Sequence, residues 1–109
     1  MQIGVQEGSE LLTEMMKEDP DYRNFISIGL QLEETPELAQ RIHSFRKRNF
    51  DLQNSAEDPE AELWDMNQEY QELIKNPLVS AYFEAEAGVC RMMREVLDYI
   101  CSQVCIPEL

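Results

Sequence analysis

Turn-forming residues are scarce: four glycines and five prolines in 109 residues. That is too few for an all-β fold, whose many short strands each need a turn. Histidine is scarcer still. His43 stands alone, so no metal site can be built on several imidazoles. Cations are short as well: nine Lys and Arg face 22 Asp and Glu, a formal charge of −13. Bulk phosphate repels such a chain, so no direct sequence-specific nucleic-acid binding is expected. No apolar run approaches the roughly 20 residues that span a bilayer. The first residues, Met1 to Ser9, are polar and acidic, and no secretory signal is read there. The expectation is a cytoplasmic protein with no membrane partner. Its three cysteines, an odd number, then read as thiols or ligands rather than a disulfide framework. A glycine-rich phosphate loop and a nucleophile elbow are both missing.

What the chain does have is a hydrophobic content of 43%, enough for one small core. Its length fits a single domain over residues 1–109. Four prolines punctuate it, in the pairs Asp19-Pro20, Thr35-Pro36, Asp58-Pro59 and Asn76-Pro77. Each pair reads as a helix start. The short polar side chain can accept a bond from a free backbone N–H, and proline suits the first helical position because no N–H is lost. The residue before proline is also pushed out of helical geometry, which ends the preceding helix. The marks predict five helices over 3–18, 20–33, 36–54, 59–75 and 77–105.

Apolar spacing supports the cuts. The third segment aligns Leu38, Ile42, Phe45 and Leu52. The fourth aligns Leu63, Met66, Tyr70, Leu73 and Ile74. In the last, Leu78, Tyr82, Val89, Met93, Val96 and Ile100 fall within about 60° at roughly 100° per residue. A helix that long runs about 40 Å, more than a small domain covers with short helices. The surplus stripe predicts a dimer interface formed by those six residues.

Two clusters invite a chemical reading. Arg41, Arg46, Lys47 and Arg48, with His43 among them, stand out on an acidic chain. Local ion pairs are the ordinary reading of such a run. Docking of an acidic partner or RNA by Arg41, Arg46, Lys47 and Arg48 is the functional one, with Phe50 either core from a neighbouring helix or an exposed anchor for that partner. Cys101 and Cys105 lie one turn apart, and Cys90 lies eleven residues earlier, about 16 Å along the axis. Cysteine beside an apolar stripe is ordinarily a small hydrophobe. Two thiolates could instead contribute to a zinc or iron–sulfur site that a partner completes, since such sites usually want four ligands. No resident cofactor is expected otherwise. The carboxylates are spread over helix surfaces and read as solvated faces. No compact constellation points to an enzyme.

The run Asn76-Pro77-Leu78-Val79-Ser80-Ala81-Tyr82-Phe83-Glu84-Ala85-Glu86, followed by an apolar helix, resembles the signature region of the YlbF/YmcA family of bacterial regulators. Lys17-Glu18-Asp19-Pro20-Asp21-Tyr22, Thr35-Pro36-Glu37-Leu38 and the stretch from Phe45 to Gln53 agree with its upstream junctions. The resemblance implies an all-α, commonly dimeric, non-enzymatic protein. Its best-known members join a small complex that directs the endoribonuclease ribonuclease Y in messenger RNA processing. Through it they influence competence, biofilm formation and sporulation, and the complex has been associated with iron–sulfur clusters. The expectation is an all-α helical bundle with a long C-terminal helix, acting as a homodimeric regulatory adaptor. The alternative is a metal- or cluster-binding redox sensor using Cys101 and Cys105.

Overall fold

The computed structural model describes residues 4–55, 59–104 and 106–107, and all its regular elements are helices. These are α1 (Val5–Lys17), α2 (Pro20–Glu33), α3 (Pro36–Ser55), α4 (Pro59–Ile74) and α5 (Pro77–Gln103). Every x-Pro pair marks a helix start, and each bound lies within two residues of the expectation. The capping chemistry is visible at two of the starts. The Asp19 carboxylate accepts from the Asp21 N–H at 2.9 Å, and the Asn76 side-chain carbonyl accepts from the Leu78 N–H at 2.9 Å. Asp58 lies outside the described residues. The helices follow one another closely because their last turns tighten. The N–H groups of Thr35 and Asn76 reach back only three residues, to Leu32 and Leu73.

The chain forms two compact units, Met1–Ile26 with Glu84–Leu109 (unit 1) and Ser27–Phe83 (unit 2). Helices α2 and α5 each contribute residues to both.

Unit 2 has the larger core. Ile28 and Leu32 of α2, Ile42 and Leu52 of α3, Met66 and Leu73 of α4, and Val79 of α5 are all buried. Leu73 and Val79 are the most completely covered, at 1% and 0% exposure. Helices α3 and α4 pack on each other, as the predicted stripes of both require. Burying each of these side chains contributes about 1.5–3 kcal/mol relative to leaving it in water.

Unit 1 is thin by contrast. Helix α1 buries no residue completely, although Leu12 and Met16 are half-covered. On α5 the covered positions are Ala85 and Gly88, with Val89, Met92 and Val96 half-covered. These recur at three- and four-residue steps and so share one face. Gly88 has a packing reason. A Cβ there would lie 3.3 Å from Cγ of Asp21, so the start of α2 runs close against α5 at this point.

Candidate interaction surfaces

The basic run of α3 is partly consumed by its own unit. The Arg46 guanidinium stands over the Tyr82 ring at 5.4 Å and the Phe83 ring at 5.9 Å. Cations are attracted to the electron-rich face of such rings. The same rings belong to a larger aromatic group. Phe45 and Tyr70 lie 5.9 Å apart, Tyr70 and Phe83 also 5.9 Å, and Tyr82 and Phe83 6.3 Å. Arg48 donates through Nη1 to Oε2 of Glu69 at 2.8 Å, which ties α3 to α4. Arg41 faces Glu72. That carboxyl is held below its ordinary value first by the Lys75 hydrogen bond, then by the charges of Lys75 and Arg41.

These pairings divide the predicted docking residues. Arg46 and Arg48 stabilise the packing of α3 on its neighbours. Lys47, His43 and Phe50 are exposed, Phe50 at 66%. At roughly 100° per residue those three fall within about 60° of one another, on a face turned away from the buried Ile42 and Leu52. This face of α3 therefore presents the Phe50 ring beside the Lys47 ammonium and the His43 imidazole.

The six α5 residues proposed as a dimer stripe also divide. Leu78, Tyr82, Val89 and Val96 are half-buried within the chain, while Met93 and Ile100 are exposed. A second apolar line emerges beside them: Met93 (49% exposed), Leu97 (59%), Ile100 (42%) and Val104 (67%). Their spacing of four, three and four residues is the a/d pattern of helices that pair along their length. Val104 lies just past α5, yet its N–H still donates to the Ile100 carbonyl at 2.9 Å, so the line continues through it. On α1, Leu11 and Met15 are exposed one turn apart. Unit 1 thus presents more large apolar side chains to water than it covers.

Cys90 and Cys101 are free, exposed thiols on α5. Cys105 lies outside the described residues, so its geometry with Cys101 is not part of this surface. Among the described residues, no group of three or more His, Cys, Asp and Glu side chains converges on a position that could hold a metal ion. No polar side chain is buried among them either.

The family model described as control of competence regulator ComK, YlbF/YmcA, matches residues 5–104. The chain is also similar to a protein called UPF0342 protein from Caldicellulosiruptor bescii. The two are 23% identical over 97 residues, covering 85% of this chain and 82% of that protein. No solved structure shows a significant match.

Proposed function

The chain belongs to the YlbF/YmcA family of regulators, and we propose that it works without a catalytic step, as a cytoplasmic homodimeric adaptor that brings partner proteins together. The observation that carries this reading is the exposed line Met93, Leu97, Ile100 and Val104, reinforced by Leu11 and Met15. Apolar area of this kind is costly to leave in water, at about 25 cal/mol per Å². Contiguous exposed apolar patches commonly mark protein contact sites. A second copy of the chain offers the same a/d spacing and so matches the line along its length. The partner complex we favour is one built around an endoribonuclease that processes messenger RNA, as the family relationship implies. In that complex the Lys47–Phe50 face of α3 serves as a docking surface for an acidic partner.

The test separates contact from folding. Leu97 and Ile100 are exposed in the single chain, so Leu97→Glu with Ile100→Glu should leave helicity intact and convert a dimer into a monomer by light scattering at micromolar concentration. Val89 and Val96 are half-buried within the chain. Charges there should loosen unit 1 itself, because an unpaired buried charge is very costly. A native protein that scatters as a monomer would remove the self-association part of the proposal. Reversing Lys47 to Glu should weaken an acidic partner in a salt-dependent way, since exposed charges are screened over about 10 Å at 0.1 M.

A further inference from the structure

Helix α4 carries the chain's only tryptophan, and it points outward. Trp64 is 64% exposed, and its neighbour Leu63 is 56% exposed. The buried positions of α4, Met66 and Leu73, lie on the far side of the helix from Trp64 at roughly 100° per residue. Most of the Trp64 surface faces water, so packing within unit 2 uses little of it. Tryptophan is the residue type most enriched at the energetic centres of protein contacts.

The surrounding charge selects the kind of partner. Helix α4 contains Glu60, Glu62, Asp65, Glu69 and Glu72, and no lysine or arginine. Glu69 is bonded to Arg48 and Glu72 to Lys75. The side chains of Glu60, Glu62 and Asp65 form no ion pair among the described residues, although Glu62 and Asp65 line a cleft shared with Arg48, which leaves Glu60 the carboxylate beside Trp64. Glu60 lies four residues before Trp64, so the two side chains are neighbours on one face, with Cβ atoms about 5–6 Å apart. A cation held over the indole would therefore also meet a carboxylate. The ring face attracts it through its quadrupole, and the carboxylate through its charge. Unit 2 already makes one cation–aromatic contact, with Arg46 over Tyr82 and Phe83. Toward solvent, Gln68 and Gln71 continue the face without adding a cation. The same negative charge repels nucleic-acid phosphates and anionic lipid headgroups.

We propose that the outer face of α4, with Trp64 and Glu60 at its centre, docks an arginine- or lysine-bearing segment of a partner protein. This inference uses α4 alone and stands independently of self-association through unit 1.

The probe is a fluorescein-labelled octa-arginine peptide, titrated with the full-length protein at low salt and read by anisotropy. Trp64 emission in the native protein provides a second readout. Trp64→Ala should weaken binding about fivefold and Glu60→Gln about threefold, in line with an exposed cation–π contact and a flanking charge. Glu7→Gln, on α1, removes the same charge elsewhere and should change binding less than about twofold, the scale of one distant screened charge. Circular dichroism checks that each variant keeps the native helix content, which is expected because both side chains are exposed. Equal binding by Trp64→Ala and the native protein would overturn the proposal. So would an equal loss from Glu7→Gln and Glu60→Gln, which would reduce the effect to net charge. An emission shift of Trp64 with phosphatidylglycerol vesicles or poly(U) RNA, but not with the peptide, would overturn it as well.

Discussion

Units 1 and 2 come from one short chain and are built from the same kind of helix, yet they bury very different things. Unit 2 encloses Ile28, Leu32, Ile42, Leu52, Met66, Leu73 and Val79. Unit 1 fully covers Ala85 and Gly88 and leaves Leu11, Met15, Met93, Leu97 and Ile100 in water. Large side chains at the core of unit 2 supply its stability directly. Small residues at the covered positions of unit 1 permit close helix approach but contribute little apolar area. The difference is one of core: unit 2 covers a set of large apolar side chains while keeping Phe50, Leu63 and Trp64 at its surface, and unit 1 covers mainly small residues.

The largest expected effect lies in the complete unit. Leu73→Ala should cost about 2–5 kcal/mol, because a well-packed site collapses only partly around the cavity. Denaturant unfolding monitored by circular dichroism measures it. A loss under about 1 kcal/mol would mean that the unit 2 core is looser than its burial indicates.

A smaller loss is expected at the closest approach in unit 1. Gly88→Leu would drive a side chain into Asp21, whose Cγ already sits 3.3 Å from a Cβ built at that position. Overpacking of this kind typically costs about 1–3 kcal/mol. Faster hydrogen exchange should appear in Pro20–Ile26 and Glu84–Gln103, with α3 and α4 unchanged. Exchange rising equally in α3 and α4 would show that the units do not respond separately.

Next comes the cap of α5. Asn76→Ala removes the acceptor for the Leu78 N–H and should cost about 1 kcal/mol. The loss should appear as a shift of the unfolding midpoint with an unchanged denaturant slope.

The smallest effect concerns pH. The Glu72 carboxyl is held below its ordinary value chiefly by the hydrogen bond from Lys75, then by that side chain's charge. A carboxyl with a lowered native pKa adds stability above the unfolded value, and this is lost as pH falls through the native one. Because Glu72 is fully exposed, the change should be slight. Lys75→Met should return the Glu72 titration, followed by NMR, toward the ordinary carboxylate position.

Much of this architecture was legible in local sequence. An x-Pro pair carries its own capping chemistry, so α2, α3, α4 and α5 begin where Pro20, Pro36, Pro59 and Pro77 place them. The stripes of α3 and α4 identified Ile42, Leu52, Met66 and Leu73, because a helix packed on one side repeats its buried residues every three or four positions, but the α4 stripe also took in Leu63 and Tyr70, which are exposed. Val79, Ala85 and Gly88 were not anticipated. A stripe drawn through large side chains passes over Ala85 and Gly88, and close approach favours such small residues, whereas Val79 was missed because it lies to one side of the Leu78–Ile100 stripe. The fate of the α3 cations was equally hidden. Arg46 and Arg48 are engaged by Tyr82, Phe83 and Glu69, residues more than twenty positions away that only the fold brings near. Trp64 was overlooked because its significance is its exposure, and one residue's exposure has no periodic signature.

The central proposal is that a second copy covers the exposed line Met93, Leu97, Ile100 and Val104 of unit 1. Hydrogen exchange measured by mass spectrometry, across a range of protein concentrations, tests it most directly. Protection in the α5 segment from Glu84 to Gln103 should increase with concentration and level off once the dimer is saturated, because binding to the folded form adds stability by mass action. Protection in the segments around Ile42 and Leu73 should be much less sensitive to concentration. Protection of the α5 segment that stays constant from nanomolar to high micromolar concentration, in a protein that sediments as a monomer throughout, would contradict the account.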